Sequence, residues 1–297
     1  MNLKNKTENL KHSELAQKNR MNSAASALFE RSGRMKVAFV QTSPEFGAIE
    51  KNVDSAVARL KTLGARLVVL PELFSTGYQF RSREELRSLA EDPEGGYAGR
   101  ALARAAKENG CFIVAGFAEK AGGRAYNSSM LVGPKGLIDV YRKAHLFWNE
   151  KKVFTPGDTP FKVHDIGGAR IGMMICFDWL FPEVARELAV KGADIICHPS
   201  NLVLPYCPQA MITRSLENRV FTITANRVGS EQRVEGAPLR FIGKSQVTAP
   251  DGRVLARAPG MGAWSKVVEI EPEEAREKLI TPVNDALKDL RVDLLTR

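Results

Sequence analysis

The chain carries the same structural unit twice, and this internal repeat constrains its fold more than any other feature. Apolar residues at helical spacing predict a helix over residues 50–63, followed by the octapeptide 64–71, which runs from a glycine through an apolar stretch to a proline. The same order returns with a helix over residues 182–191 and the octapeptide 192–199, and the two octapeptides align without a gap. Each helix follows an apolar run that predicts a strand, at residues 37–40 and 171–175. The repeat predicts two similar α/β halves.

The parallel between the halves extends downstream of these units. A predicted helix precedes a predicted strand in the first half, at residues 97–109 and 111–117, and again in the second, at residues 208–219 and 220–226. Each half then has a hairpin with a Pro-x-Gly turn at a matching position, at residues 128–136 and 244–252. Two sheets with apolar inner faces should stack, with helices covering the outside. We therefore expect an α/β fold of the four-layer αββα sandwich type, built from two pseudo-equivalent halves.

Composition separates both ends of the chain from this domain, which spans residues 35–271. Residues 1–34 are polar, with seven basic and three acidic side chains, and predict a flexible N-terminal extension that cannot build a core. Met35 is a candidate translation start, and an oligomer contact is the alternative role for the extension. Residues 272–297 form a C-terminal tail with two short stretches of helical pattern, 273–279 and 285–290, which we expect at a dimer interface.

Several classes of function are disfavoured by composition. No apolar run approaches the ~18 residues of a membrane span, and the N-terminus lacks an apolar signal-peptide core, so we expect a cytoplasmic protein without a membrane partner. The four cysteines are irregularly spaced, which predicts free thiols. Of the net charge of +9, residues 1–34 contribute +4, and no dense basic and aromatic run follows, so we expect no nucleic-acid partner. The remaining positive charge favours a modest attraction for anionic substrates.

Cys176 is the first candidate for chemistry. It ends the apolar run at residues 169–175 and precedes Pro182 and Glu183, whose pattern predicts the first turn of a helix. A cysteine at a turn from strand to helix lies where backbone N–H groups and the positive helix end favour a thiolate, which suits a nucleophile. The alternative is a small apolar residue in the core, where most free cysteines lie.

Glu72 and Lys143 are the second and third candidates. Glu72 follows a predicted strand, so it should lie at the same edge as Cys176, where open α/β sheets hold ligands. Partial burial among its apolar neighbours would raise its pKa and suit it to general base catalysis, whereas an exposed loop acid is the alternative. Lys143 lies in a mixed basic and aromatic stretch, and a solvated lysine is the alternative there. In the same stretch, His145 is expected to be structural, and Glu150 to hold a lysine or a substrate amine.

Taken in order, these motifs resemble those of the nitrilase superfamily of carbon–nitrogen hydrolases. The resemblance runs from about residue 35 to about residue 271, and Lys143 and Cys176 follow Glu72 at the separations and in the order that the family shows. It rests on Pro71-Glu72-Leu73, Tyr141-Arg142-Lys143 with His145-Leu146, Pro156-Gly157-Asp158, and Ile175-Cys176-Phe177-Asp178 with Phe181-Pro182-Glu183. The resemblance implies an αββα sandwich that associates as a homodimer or higher oligomer.

The resemblance also implies a role for each candidate residue. Cys176 would be the nucleophile, Glu72 the general base and Lys143 the electrostatic stabiliser, with Glu150 ordering the site. Thiolate attack on an amide carbon gives a tetrahedral oxyanion, which Lys143 and the backbone N–H of Phe177 would stabilise. Water would then hydrolyse the thioester. This chemistry needs no cofactor or metal, and the four histidines show no ligand spacing.

The choice between amide and nitrile depends on the residues after the nucleophile. Dedicated nitrilases of the family carry Trp and Glu there, whereas this chain has Phe177 and Asp178. We therefore expect an amidase that acts on a small aliphatic amide, an ω-amide or an N-carbamoyl amine. A nitrilase of small aliphatic nitriles and dinitriles is the alternative, because Cys-Phe-Asp-Trp also resembles small archaeal and bacterial nitrilases. The candidate substrate contacts are Phe147, Trp148, Asn201 and Tyr206.

Other classes of function remain open from the residues alone. A thioester-forming acyltransferase would pass the acyl group to an amine or a lipid in place of water. An ammonia-supplying amidase domain would need a synthetase partner. A non-catalytic scaffold would have no use for the complete set of Glu72, Lys143 and Cys176.

Overall fold

The computed structural model describes residues 33–295, and the prediction for the N-terminal extension lies outside them apart from its last two residues. In the first half, strands and helices alternate before a run of three antiparallel strands. Its elements are β1 (Met35–Gln41), α1 (Ile49–Leu63), β2 (Leu67–Val69), α2 (Arg83–Leu89), α3 (Tyr97–Asn109), β3 (Phe112–Ala121), β4 (Arg124–Gly133), β5 (Gly136–Arg142) and α4 (Glu150–Val153).

The second half repeats this succession and adds a small hairpin. Its elements are β6 (Val163–Asp165), β7 (Arg170–Met173), a 3-10 turn (Cys176–Leu180), α5 (Pro182–Val190), β8 (Ile195–Pro199), α6 (Cys207–Asn218), β9 (Phe221–Ala225), β10 (Val228–Glu231), β11 (Leu239–Ile242), β12 (Gln246–Thr248), β13 (Val254–Arg257) and β14 (Trp264–Ile270). A 3-10 turn (Pro272–Ala275), the short strands β15 (Leu279–Thr281) and β16 (Asn284–Asp285), and a last 3-10 turn (Val292–Leu294) follow.

The two large sheets have the same strand order. One runs β14-β1-β2-β3-β4-β5 and the other β6-β7-β8-β9-β12-β13, each with six strands. In each sheet the three strands after the first are parallel, and the first and the last two pair antiparallel. The prediction of two pseudo-equivalent α/β halves is therefore confirmed, and the edge strands β14 and β6 complete the match.

Strand β1 shows how the layers are packed. Val37 and Phe39 belong to the core between the two sheets, whereas Ala38 and Val40 belong to the core between the first sheet and its helices. All four are fully buried. A strand that is buried on both faces has a continuous run of apolar residues in its sequence, and β1 has such a run. Burial of each larger side chain contributes roughly 1.5–3 kcal/mol to stability.

The helices pack through the apolar faces that their spacing predicts. In α1 the buried face carries Val53, Ala56 and Leu60, and the helix ends at Gly64 in the left-handed conformation, with φ of +59°. Helix α3 ends in the same way at Gly110. Glycine adopts this conformation without the steric cost of a Cβ atom, so it terminates the helix where the chain turns into the next strand. No helix in residues 33–295 combines the length and apolarity that a membrane span requires.

The predicted helices of the C-terminal tail are wrong. Residues 273–279 contain only a short 3-10 turn, and residues 285–290 contain no helix. The carboxylate of Asp285 accepts hydrogen bonds from the N–H groups of Leu287 and Lys288, which satisfies the backbone locally and favours a turn. Ala275 is nevertheless part of the core between the sheets, so the start of the tail belongs to the folded domain.

Candidate active site

Four predicted residues meet at the carboxyl ends of the parallel strands. The ammonium of Lys143, which directly follows β5, lies 2.7 Å from Oε1 of Glu72. The same Nζ lies 2.8 Å from both carboxylate oxygens of Glu150 at the start of α4. All three side chains are buried. Cys176 interacts electrostatically with each of them, so the structure brings the four predicted residues into one buried cluster.

The backbone at Cys176 is held in an unusual conformation. Its φ is +41°, in the left-handed region, which for a residue with a side chain costs of order 1 kcal/mol or more. Strand β7 ends at Met173, two residues earlier than predicted, and Cys176 begins a five-residue 3-10 turn. Helix α5 begins only at Pro182, which confirms the predicted helix start but places the positive helix end away from the thiol.

The surroundings of the thiol disfavour the thiolate. Burial raises the pKa of Cys176 well above its usual range, and the neighbouring Glu72 carboxylate raises it further, while Lys143 opposes both. Burial also raises the pKa of Glu72, although Lys143 works in the opposite direction. A neutral thiol beside a carboxylate with raised proton affinity is an arrangement in which the carboxylate can accept the thiol proton.

Lys143 remains charged in this environment. Burial alone would lower its pKa, but Glu150, Glu72 and the Cys176 thiol raise it above the ordinary lysine value. Asn127 also donates to Oε1 of Glu72 at 2.7 Å, which leaves Oε2 of that carboxylate buried without a hydrogen-bond partner. That free oxygen can accept a proton or a substrate N–H group.

Tyr78 connects Glu150 to a second buried ion pair, and sequence reasoning missed this link. Its hydroxyl donates to Oε1 of Glu150 at 2.6 Å. Its backbone N–H donates to the carboxylate of Glu231, which pairs with the buried Arg227. The guanidinium of Arg227 lies 4.1 Å from the ring centre of Phe241. No sequence motif predicted the ion pair of Arg227 with Glu231, because both residues lie far along the chain from Tyr78, which they position.

A group of polar residues supports the turn at Cys176, and no sequence motif predicted this arrangement. The carbonyl of Cys176 accepts a hydrogen bond from Nε2 of His198 at 2.9 Å. Burial lowers the pKa of His198 to about 4, so this imidazole is neutral. The buried Asp178 accepts from the backbone N–H of Ile175 at 2.8 Å and also bonds Nδ1 of His145 at 2.8 Å. His145 therefore has the structural role that we expect for it.

The four predicted substrate contacts lie at different depths. The ring of Phe147 packs against that of Phe177, with centres 5.0 Å apart. Trp148 is half exposed and lines a small cavity with Tyr78 and Glu150, whereas Tyr206 lies at the surface. Asn201 is buried, and its backbone N–H lowers the pKa of the Cys176 thiol.

Within residues 33–295, the side chain of Asn201 has no hydrogen-bond partner at either Oδ1 or Nδ2. Leaving a buried polar group unpaired costs roughly 1–3 kcal/mol. Such a cost is expected where a side chain binds a ligand.

The other cysteines are buried, and Cys207 belongs to the hydrophobic core.

Comparison with known proteins identifies the family. Residues 36–277 match the sequence model of the family described as carbon-nitrogen hydrolase. The chain belongs to the carbon–nitrogen hydrolase family. It is therefore a hydrolase that acts on carbon–nitrogen bonds, of the group of amidases and nitrilases, and the predicted membership of the nitrilase superfamily is confirmed.

Individual carbon–nitrogen hydrolases align with nearly the whole domain. A nitrilase of Pyrococcus abyssi is 48% identical over 266 residues, which cover 89% of this chain and 100% of the relative. An (R)-stereoselective amidase of a Pseudomonas species is 35% identical, over 88% of this chain and 93% of the relative. The crystal structure of a carbon–nitrogen hydrolase from Helicobacter pylori G27 has a TM-score of 0.79 at 26% identity, covering 88% and 97% of the two chains. A double mutant of the amidase from Nesterenkonia sp. AN1, in complex with acrylamide, has a TM-score of 0.73 at 25% identity, covering 89% and 97%.

Proposed function

We propose that this protein hydrolyses small aliphatic amides, ω-amides or N-carbamoyl amines through a thioester on Cys176, with release of ammonia. The observation that carries the proposal is the buried cluster in which Lys143 joins Glu72 to Glu150 beside the thiol. It contains a nucleophile, a base with a free oxygen and a fixed cation. These are the three groups that acyl transfer from nitrogen to sulfur to water requires.

The first half of the reaction uses the free oxygen of Glu72. As the sulfur of Cys176 attacks the carbonyl carbon, the thiol proton passes to Glu72 and the carbonyl oxygen becomes an oxyanion. An ammonium has three N–H groups, and one of them can serve both oxygens of Glu150, which leaves one on Lys143 for the oxyanion. The backbone N–H of Phe177 is the second proposed donor. Loss of one such donor costs ~10²–10³ in rate.

The second half of the reaction returns the site to its starting state. The oxyanion collapses, the carbon–nitrogen bond breaks and Glu72 gives its proton to the departing ammonia. Glu72 then removes a proton from water, which attacks the thioester carbonyl carbon, and the acid leaves as the sulfur takes the proton back. The thiol proton therefore leaves with the ammonia, a proton from water replaces it on the sulfur, and water is the only other reactant consumed.

A nitrilase reaction is the second candidate, favoured by the 48% identity to the Pyrococcus abyssi nitrilase. The same thiol would add to the nitrile carbon and give a thioimidate, which water would convert through the same thioester to an acid and ammonia. The amide reaction is preferred here because Phe177 and Asp178 follow the nucleophile.

Ammonia release from a matched panel of amides, carbamoyl amines and nitriles tests both candidates. The wild type and Cys176→Ala are compared on each compound. Release from amides that disappears in the variant supports the amidase, and release from nitriles alone supports the second candidate. If the wild type releases no ammonia from any compound while iodoacetamide still labels Cys176, hydrolysis is contradicted and an acyl acceptor other than water or a scaffold role is favoured.

We further propose a homodimer in the cytoplasm. The described part of the tail exposes a set of apolar side chains that a second copy would cover: Leu279, Ile280, Val283, Leu290, Val292, Leu294 and Leu295. The four cysteines are all free thiols, which supports a reducing compartment.

A further inference from the structure

Asn201 and Asn226 are neighbouring buried asparagines with opposite hydrogen-bonding states. In Asn226, Oδ1 accepts from the backbone N–H of Leu202 at 2.8 Å and Nδ2 donates to the carbonyl of Gly243 at 2.6 Å. In Asn201, neither atom has a protein partner, although the side chain is equally buried. Buried side-chain amides normally form hydrogen bonds, as that of Asn226 does. The unpaired amide of Asn201 therefore indicates a ligand.

The position of Asn201 associates this ligand with the reaction. Asn201 follows Ser200, whose hydroxyl contacts Nε2 of His198, and the same Nε2 bonds the carbonyl of Cys176. The backbone N–H of Asn201 also lowers the pKa of the thiol, so the unpaired carboxamide belongs to a residue beside the nucleophile.

In the part of the chain that the structure describes, Oε2 of Glu72 and Oδ1 of Asn127 are also buried acceptors without a hydrogen-bond partner. Glu72, Asn127 and Asn201 therefore supply three unpaired acceptors and one unpaired donor, Nδ2 of Asn201, in addition to the N–H group of Lys143 that is left for the oxyanion.

The excess of unpaired acceptors around the thiol distinguishes between substrate classes. In a primary amide or a carbamoyl group, the carbonyl oxygen accepts from Lys143 and the backbone N–H of Phe177, as proposed above, and two N–H groups are available to the unpaired acceptors. A nitrile carries one acceptor and no N–H group, so it leaves the unpaired acceptors unsatisfied. A site whose buried polar groups stay unpaired with the wrong substrate rejects that substrate strongly.

We propose that the carboxamide of Asn201 hydrogen-bonds the reacting group of the substrate and selects primary amides and carbamoyl groups over nitriles. This assignment rests on the proposed function and deepens it, because it makes Asn201 the specificity-determining residue of the same site. The side chain of Asn201 forms no hydrogen bond with the described residues, so we expect its replacement to cost the fold little.

Alkylation of Cys176 tests this without turnover. Iodoacetamide and iodoacetonitrile form the same S–CH₂ bond with loss of iodide, and they differ only in the amide or nitrile group. The labelling rate at Cys176 is measured with each reagent in the wild type, Asn201→Leu and Asn226→Leu, with Cys176→Ala as the blank for the other three thiols. Thermal unfolding of the same proteins is recorded in parallel.

The expected result is a change in reagent preference without a loss of stability. In Asn201→Leu, the iodoacetamide rate should fall about 10–100-fold, the iodoacetonitrile rate should change less than about 3-fold, and Tm should stay equal or rise. Asn226→Leu should lower Tm and leave the ratio of the two rates unchanged. For turnover, Asn201→Leu should raise the KM of propionamide more than it lowers kcat.

Two outcomes would overturn the assignment. One is an unchanged rate ratio in Asn201→Leu. The other is a fall in Tm, in both Asn201→Leu and Asn201→Ala, as large as that of Asn226→Leu, which would show a structural role. A shifted rate ratio together with equal ammonia release by the wild type and Cys176→Ala would refute the proposed function and leave the Asn201 assignment in place.

Discussion

Lys143 and Glu150 form a buried ion pair in which one ammonium lies 2.8 Å from both oxygens of the carboxylate. The two residues are seven positions apart, at the end of β5 and the start of α4. Glu72 shares the same ammonium, so two carboxylates and one cation are buried together. Desolvation of three charges is costly, and the attraction of each carboxylate to the shared ammonium offsets that cost only while the ammonium is in place.

Lys143→Met should therefore both inactivate and destabilise the protein. Removal of the cation leaves two buried carboxylates without a partner, and breaking such a pair costs about 3–5 kcal/mol. We expect a loss of that size in the free energy of unfolding, measured with urea, together with loss of ammonia release. Lys162→Met is the matched control, because the half-exposed pair of Lys162 with Asp139 should contribute about 1 kcal/mol or less. Equal stability losses in the two variants would contradict the role assigned to the buried cation.

Glu72→Gln should separate catalysis from stability. The amide keeps the shape of the side chain, and Lys143 keeps both contacts to Glu150, so unfolding should change by only about 1 kcal/mol. Without a general base, kcat should fall about 10²–10⁴-fold. In the wild type, activity should be lost as pH falls through the pKa of Glu72, which burial raises above the ordinary value of about 4.3. A Glu72→Gln enzyme with wild-type kcat would rule out Glu72 as the base.

Tyr78→Phe should reduce kcat with little effect on KM. The change removes only the hydroxyl that donates to Glu150 at 2.6 Å, so Glu150 and the ammonium that it holds lose part of their orientation. We expect kcat to fall roughly 10-fold, a loss typical of one neutral hydrogen bond to a charged group. Tyr97→Phe removes a hydroxyl bound to Asp54 on the surface and should leave both constants unchanged. If Tyr78→Phe raised only KM, a substrate contact would replace the positioning role.

His198 should make stability depend on pH below neutrality. Burial lowers the pKa of His198 from 6.5 to about 4 in the folded protein, so the unfolded chain binds the proton more tightly. Its contribution is present above pH 6.5 and is lost as pH falls towards 4, by roughly 3 kcal/mol in total. In the wild type, the free energy of unfolding, measured in urea, should fall by at least this amount between pH 7 and pH 4. In His198→Asn that fall should be smaller by the same amount, so the slope against pH is flatter. The wild-type slope should persist in His164→Asn, and an unchanged slope in His198→Asn would show that this histidine is not buried neutral.

A chain that ends at Lys278 should be monomeric if the tail forms the dimer interface. The cut keeps the buried Ala275 and the contact of Arg276 with Asp194, so the domain should still fold. It removes all seven exposed apolar residues named above. Light scattering of the full and shortened chains checks this, with circular dichroism to confirm the fold. If the full and shortened chains contain the same number of copies per particle, either the dimer interface lies elsewhere or the protein is not a dimer.

The repeat illustrates what sequence patterns can predict. Residues 64–71 and 192–199 align because both follow a helix and end a parallel strand, and strands β2 and β8 do occupy matching places in their sheets. Position 72 carries the glutamate, whereas the matching position 200 carries Ser200, which supports His198. The pattern thus identified the edge of the sheet at which the site lies. It could not show that strand β7 ends at Met173, three residues before Cys176, or that burial keeps the thiol neutral, because both depend on tertiary contacts.

Apolar periodicity, glycine at helix ends and motif order determined the two halves, their layers and the set of Glu72, Lys143, Glu150 and Cys176, because these features act over a few neighbouring residues. The tertiary structure alone decided which oxygens share the Lys143 ammonium, that Tyr78 and His198 support the site, and that Asn201 stays unpaired beside the thiol. Those outcomes depend on desolvation and on hydrogen bonds between residues distant in sequence. Such interactions have no local signature, since each partner acquires its role only when folding removes both from water.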